Sequence, residues 1–326
     1  MNPGMLQIGD PFDQYQILAY LAKGGMSDIY RAYDLVHRRD VVIKVPDTAM
    51  LGDPAQFERF QRELEVLNTL DHPAILKGLG SGRYNRMPYL VTAYLEGQSL
   101  RDLIAKQAPM PPEQAVELAR KIAAGMAYVH AQGIIHRDLK PENIIVSPEG
   151  QPVIMDFGLA LTPHAHRVTY SNLTATMGTP DYMAPEQIEG KRGDARTDIY
   201  ALGTILFELL AGRVPFTGDS PLAVMAQHMN QAAPRLDRLR PGVSPQLAAV
   251  AARCLQPDPA RRYASMDELI EALDHPETAD LAVLEAGGAP SPLQQLLRST
   301  GFKAAAISLL LIAGMIILAV ALQALR

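Results

Sequence analysis

Between two runs of Ile and Val, the stretch GIIHRDLKPENIIVS (Gly133 to Ser147) carries His136, Arg137, Asp138, Lys140, Glu142 and Asn143. Short apolar runs bounded by Gly, Ser and Pro read as strands entering a core, so the polar segment between them is a loop held at the core's edge. A plain hairpin turn calls for Gly, Asn or Pro rather than paired cations and carboxylates, and loops on rigid scaffolds commonly carry function. Further along, Asp156 follows the apolar run VIM and precedes Phe157 and Gly158, leaving a carboxylate at a strand end. Asp138 can accept a hydroxyl proton. Asn143 and Asp156 offer oxygen ligands of the kind magnesium takes together with waters and phosphate oxygens. These are parts that phosphoryl transfer requires.

Upstream segments add to the set. Lys44 closes the run VVIK, so its ammonium projects from a strand and can pair with phosphate oxygens; the same position also suits a lysine whose stem lies along the surface. The helical run PAQFERFQRELEVLNTL offers Glu58, Glu63 and Glu65 as partners, and Glu63 is the choice because a buried lysine needs a compensating carboxylate. In LAKGGMSDIYRAYD, Gly24 and Gly25 let the backbone approach a phosphate closely, although a glycine pair serves a tight turn equally.

The elements that must position these groups fall into two blocks. YQILAYL, VVIKV and PYLVTAYL read as strands, interrupted by a helix with Phe57, Phe60, Leu64, Leu67 and Leu70 at helical spacing. From Ser99 onward the pattern is helical: PPEQAVELARKIAAGMAYVHAQG opens with Pro111 and Pro112 and closes on Gly133. Further helices are expected at TDIYALGTILFELLAG, PLAVMAQHM, PQLAAVAARCL and MDELIEAL. A small β-rich lobe followed by a larger helical one is an α+β layout with a cleft between.

Composition narrows the classes. The chain has 326 residues, 48% apolar and 20% charged, and a net charge of -5 without a basic stripe, which argues against nucleic acid as a partner. The run His37–Arg39 reads as a solvated turn. Cys254 is the single cysteine, so no intrachain disulfide or Cys-rich zinc site can form, and a reducing compartment fits. No apolar signal segment precedes Tyr15. Residues 304–322 carry no charge and would span about 28 Å as a helix, close to a bilayer's hydrocarbon core. Arg298 and Lys303 beside this segment favour a cytoplasmic location for what precedes it.

Lys44, Glu63, HRDLKPEN, DFG and MAPE stand in the order and approximate spacing of the eukaryotic-type (Hanks-type) Ser/Thr protein kinases. The resemblance covers about residues 15–273 and is nearest to the bacterial membrane-bound kinases. It implies a two-lobed fold with an N-lobe over 15–95 and a C-lobe over 96–273. It also implies ATP as phosphoryl donor, with Mg2+ or Mn2+, and protein substrates bearing Ser or Thr. Carried over by residue, Lys44 meets the α- and β-phosphates and Glu63 is its ion-pair partner. Asp138 becomes the base, Lys140 the neutraliser of the γ-phosphate, and Asn143 and Asp156 the metal ligands. The nucleotide would lie against Ala22, Gly24, Gly25, Ile29, Val42 and Ile145, with main-chain contacts from Ala93 and Leu95 and Thr92 as gatekeeper. Lys140 and Thr179 follow the Ser/Thr pattern. Glu186 with Arg262, and Asp198, take the family's structural places, while His136 and Phe157 pack between the lobes.

Departures from the family pattern are Ala22 for the first glycine of the loop, Ser27 for the third and Val42 for an alanine above adenine. They motivate a second reading, a pseudokinase scaffold that binds nucleotide and partners without transfer. A kinase acting on a small molecule is a third, against which the MAPE segment and Thr179 count. Arg137 before Asp138 implies a phosphate on the activation segment, with Thr174 or Thr176 the expected site and Thr169 a further candidate. The expected layout is an N-terminal extension (1–14), the catalytic domain (15–273), a linker (274–303), a membrane helix (304–322) and a tail (323–326). With so short a tail, signals are expected from the cytoplasmic side, the bilayer or a partner. Confinement to an inner membrane as a single-pass protein would favour self-association and phosphorylation in trans.

Overall fold

The architecture is that of a computed structural model, which describes residues 6–23, 27–46, 54–84, 87–160 and 180–285. Gly24, Gly25, Thr169, Thr174, Thr176, Thr179 and the segment 304–322 lie outside the described residues.

The N-terminal lobe is an antiparallel sheet built from β1 (Pro11–Phe12), β2 (Tyr15–Lys23), β3 (Ser27–Asp34), β4 (Arg39–Pro46), β5 (Gly78–Tyr84) and β6 (Met87–Ala93), in the order β1-β2-β3-β4-β6-β5. One helix, α1 (Pro54–Leu67), interrupts it in sequence. Strand alternation decides which side chains reach the site. Tyr30 and Ala32 on β3 and Val41 and Ile43 on β4 pack with Phe12, Tyr15 and Ile17 into a core above the sheet. The residues between them, Ile29 on β3 and Val42 and Lys44 on β4, therefore share the opposite face. Register brings them together: Ile29 stands opposite both Ala22 and Lys44, and Val42 opposite Thr92.

The chain then turns helical. A small sheet of β7 (Gln98–Ser99), β8 (Ile144–Val146) and β9 (Pro152–Ile154) lies beside α2 (Leu100–Gln107) and α3 (Pro112–Ala131). The two lobes are stitched by backbone: Leu76 N–H donates to Ile154 O (2.9 Å) and Ile154 N–H to Ala74 O (2.8 Å). Below follow α4 (Pro185–Ile188), α5 (Arg196–Ala211), α6 (Pro221–Asn230), α7 (Leu236–Leu239), α8 (Pro245–Cys254), α9 (Met266–Asp274) and α10 (Ala282–Glu285). Every residue of α5 from Thr197 to Leu210 is buried, so this helix is the axis of the lobe rather than a surface element. It ends where Gly212 takes the left-handed conformation (φ 74°) and returns its N–H to Glu208 O. Ser99, Ser220, Ser244 and Ser265 cap α2, α6, α8 and α9 with their hydroxyls.

Glu186 and Arg262 form a buried two-pronged pair, both bonds 2.8 Å, and Thr197 donates a third bond to the same carboxylate. One expectation needs correcting. Packed structure continues past Leu273: the stretch from Pro276 runs into α10, whose Leu284 is buried in the main core. The apolar residues Val283 and Leu284 explain this, since they extend a core that composition alone had ended at the preceding proline.

His228 on α6 is fully buried, with Nδ1 2.7 Å from the Tyr200 hydroxyl. Burial pulls its imidazole down to about 4, below an unfolded value of about 6.5. Such a group contributes stability that is complete above about pH 6.5 and is lost as pH falls toward the folded value, about 2 kcal/mol of it by pH 5. Glu186 and Asp198 are held below the usual carboxylate range by bonds that outweigh burial, so their contributions fade only below about pH 4. Denaturant unfolding at pH 7 and pH 5 is expected to show this loss, and His228→Gln, which keeps an acceptor for Tyr200, to remove most of it. An equal slope in the Gln variant would contradict the assignment.

Candidate active site

Lys44 and Glu63 meet in a buried ion pair between β4 and α1. The other candidate partners are elsewhere: Glu58 pairs with Arg62 (2.8 Å), and Glu65 is exposed. Burial alone would pull the Lys44 ammonium down, but Glu63 and Asp156 overcome it and hold the group above its ordinary value. Lys44 is therefore a buried permanent cation on the open face of the sheet, with the Asp156 carboxylate near it.

Asp138 lies in the loop between α3 and β8. Its carboxylate accepts from Lys140 Nζ (2.8 and 3.0 Å) and from Asn143 Nδ2 (3.1 Å), and Asn143 also donates to the Asp138 main-chain oxygen (2.8 Å). With both amide hydrogens of Asn143 so used, its side-chain oxygen is the end left for a cation. Lys140 would be lowered by burial, yet Asp138 and Asp156 raise it above its ordinary value. The Asn143 carbonyl accepts from Met155 N–H (2.9 Å), which ties this loop to the residue before Asp156. Asp156 itself takes a positive φ of 66°, turning its carboxylate back from the line of β9. Asn143 and Asp156 thus present an amide oxygen and a carboxylate, a hard-oxygen set that suits a small divalent cation completed by phosphate and water. Among the described residues no group of three or more His, Cys, Asp or Glu is placed to cage a metal.

The backbone of the loop is fixed from beneath. Asp198, fully buried, accepts from the main-chain N–H of His136 (2.9 Å) and Arg137 (2.8 Å) and lies 2.8 Å from His130 Nε2. His136 packs its ring 4.7 Å from Phe157, and its Nε2 is 3.1 Å from Met155 O, so it serves packing and orientation as expected. Ile29, Val42, Leu95 and Ile145 are all partly exposed, two from the sheet and two from beyond it, while Thr92 is buried. The Ala93 N–H is taken by Lys77 O (3.0 Å).

Residues that sequence reasoning missed support the same site. Gln187 donates to the Arg137 carbonyl (2.8 Å), and His130 braces Asp198. Arg101 on α2 reaches Glu142, Glu208 and Tyr182. Only His130 had a readable signal, as a polar residue near the end of the otherwise apolar stripe of α3.

The whole arrangement places the chain in a class. Residues 15–276 match the protein kinase domain family, and the chain belongs to it. It is 37% identical over 261 residues to the serine/threonine-protein kinase PknB of Mycobacterium leprae, covering 79% of this chain and 42% of that protein. It is 35% identical over 279 residues to the serine/threonine-protein kinase PknL of Mycobacterium tuberculosis, covering 86% and 69%. The solved PknI kinase domain of M. tuberculosis superposes with a TM-score of 0.66 at 27% identity, over 83% of this chain and all of that one. The chain thus spans less than half the length of PknB-type relatives. The fold is the two-lobed protein kinase fold, with a β-rich N-lobe and a helical C-lobe.

Replacing Glu63 by Gln leaves Lys44 buried beside a neutral partner. The expected outcome is a drop in folding stability of about 3 kcal/mol, as when one member of a buried pair is removed, together with weaker nucleotide binding. Titration calorimetry and denaturant unfolding check both; unchanged values would show that the pair is not coupled to the site.

Proposed function

We propose that the protein is a serine/threonine protein kinase that transfers the ATP γ-phosphoryl group to Ser and Thr hydroxyls of proteins. The observation that carries this reading is the convergence of the Lys44–Glu63 pair, the Asp138–Lys140–Asn143 cluster and Asp156 on one mouth between the lobes. Family membership and relatives named as Ser/Thr kinases support it.

In this reading adenine enters the slot of Ala22, Ile29, Val42 and Ile145, with Thr92, Ala93 and Leu95 behind it and Gly24 and Gly25 over the phosphates. Lys44 draws the α- and β-phosphates toward the sheet. Asn143 and Asp156 would hold Mg2+ or Mn2+, which when bound neutralises charge on the phosphates. Asp138 orients the substrate hydroxyl and takes its proton as the oxygen bonds to the γ-phosphorus; the bond from that phosphorus to the ADP oxygen breaks. Lys140 offsets negative charge on the moving phosphoryl group. Most of the rate gain comes from position and from charges already in place. A scaffold that binds nucleotide without transfer is the less favoured reading, because neither Ala22 nor Val42 removes a group that takes part in these steps.

We further propose the layout expected from sequence: an N-terminal extension (1–14), a catalytic unit, a linker and a membrane span over residues 304–322 that leaves the kinase domain in the cytoplasm. The uncharged run of that segment supports it. Among the described residues no helix is long and apolar enough to cross a membrane. Confined to a bilayer, neighbouring molecules would meet often and phosphorylate one another at Thr174, Thr176 or Thr169.

Membranes holding the full chain, incubated with γ-labelled ATP and magnesium, are expected to place label on Ser or Thr, mapped within residues 169–176. Asp138→Asn should lower transfer by about 100-fold or more while ATP still binds, and deletion of residues 304–322 should release the protein from the membrane fraction. Equal labelling in the Asn variant would refute the assigned base. Membrane retention after the deletion would refute the anchor, and label confined to other positions would refute the phosphosites.

A further inference from the structure

Arg31 stands on the same face of the N-lobe sheet as Lys44, yet none of the transfer steps uses it. The alternation that buries Tyr30 and Ala32 on β3 turns Arg31 to the face of Ile29, two residues or about 7 Å further along the strand. On β4 the same alternation sets Asp40 on the face of Val42 and Lys44. Register places Arg31 directly opposite Val42 and Asp40 opposite Tyr33. Arg31 Nε donates to Asp40 Oδ2 (2.8 Å), and Nη2 donates to the same oxygen. The central carbon of the guanidinium lies over the Tyr94 ring, 4.2 Å from its centroid.

The place of Tyr94 in the chain gives this contact its interest. Tyr94 is the first residue past β6 and stands between Ala93 and Leu95, whose main-chain groups would meet adenine. The ladder between β4 and β6 ends at the pair Val41 and Ala93, and from there the chain leaves the sheet on its way to β7. A stretch beyond its ladder is no longer fixed by strand pairing and depends on its side chains for a single position. The Arg31 cation on the Tyr94 ring is such a tie, and it reaches across β4, since β3 and β6 are not neighbours in the sheet. Because Asp40 already holds the guanidinium, the ring meets a cation with little freedom left to lose. Glu96 adds its charge to the same group.

We propose that Arg31 is a positioning residue for the nucleotide, which acts through the Tyr94 ring to hold the backbone of residues 93–95 where adenine docks. The inference rests on the protein-kinase reading above. Arg31 governs affinity for the adenine end of the nucleotide and not the transfer step. The size of the effect is bounded. A contact that favours the competent form raises affinity by no more than its own free energy, and with the Arg31 side chain 36% exposed that is the modest strength of a cation–aromatic pair near water, about 5-fold.

The test compares ATP, adenosine and magnesium tripolyphosphate as ligands of the full chain, with titration calorimetry for ATP and competition against it for the other two. Adenosine carries the ring system without the charge, and tripolyphosphate the charge without the ring system. Arg31→Met keeps a stem and removes the cation. ATP and adenosine should then both bind about 5-fold more weakly and tripolyphosphate as in the wild type, with KM for ATP rising by the same factor while kcat stays within about 2-fold. Arg31→Lys, which keeps a cation for the ring, should recover most of the affinity. Tyr94→Leu leaves the Arg31–Asp40 pair in the sheet, so it reports even if Arg31→Met does not fold, and it should reproduce the loss. The double variant should bind no more weakly than either single one. Weaker binding of ATP and tripolyphosphate with adenosine unchanged would show that Arg31 acts as a charge on the phosphates and would overturn the proposal, as would unchanged binding of all three. A wild-type chain that binds neither ATP nor adenosine would instead overturn the kinase reading and take this inference with it.

Discussion

One buried carboxylate sets the geometry on which the rest of the site depends. Asp198 stands in the first turn of α5, where the helix dipole favours a negative charge, and it has no access to solvent. Burial would raise its pKa, but the bond and charge of His130, the nearby His136 and the Arg137 N–H outweigh that and hold it low. An ionised group so placed must find donors, and two of those it takes are consecutive main-chain N–H groups of the loop that bears Asp138. Arg137 is held at φ 67° with its carbonyl fixed by Gln187, a conformation that costs an ordinary residue roughly 1–2 kcal/mol. The loop keeps that strain because both faces of the Arg137 residue are pinned. Asp138, the next residue, then points where it does without any freedom to relax.

A second layer of order comes from charge. Lys44, Glu63, Lys140, Asp138 and Asp156 alternate in sign across the mouth of the cleft, and each cation is held above its ordinary value by carboxylates that overcome burial. The site is therefore charged before any nucleotide arrives and needs little rearrangement to meet phosphate oxygens. The sheet contributes through its period of two: the alternation that buries Val41 and Ile43 delivers Val42 and Lys44 to the other face. The apolar Val42 and the cation of Lys44 reach one face through one strand.

Much of this was legible in the sequence because it is local. The GIIHRDLKPENIIVS loop, Asp156 after its strand and Lys44 at the end of VVIK each carry their signal within a few residues. Periodicity placed the helices, and the choice of Glu63 over Glu58 and Glu65 followed from the cost of an unpaired buried lysine. What stayed hidden is non-local. Nothing near Gln187 points to the Arg137 carbonyl 50 residues earlier, and nothing near Arg101 points to Glu208, 107 residues later. These contacts exist only once α2, the loop and α5 are packed together. The end of the fold was misplaced for a related reason: the shift in composition after His275, with its Gly-Gly and Ser-Pro signals, reads as a linker, yet Leu284 returns to the core across α8.

The most direct measurement is of Asp198→Asn, which keeps size and shape but offers one acceptor where the loop needs two and sets an N–H₂ against main-chain donors. With the full chain, kcat for peptide phosphorylation and the Kd for nucleotide are measured side by side. The account predicts a fall in kcat of about 100-fold, the scale expected when a reacting group is displaced by about 1 Å, with nucleotide affinity within about 3-fold of wild type, since Ile29, Val42 and Lys44 stand on the sheet of the other lobe and Ile145 lies beyond the two N–H groups that Asp198 holds. A variant with wild-type kcat would contradict it, because the loop would then hold Asp138 in place without the carboxylate beneath it.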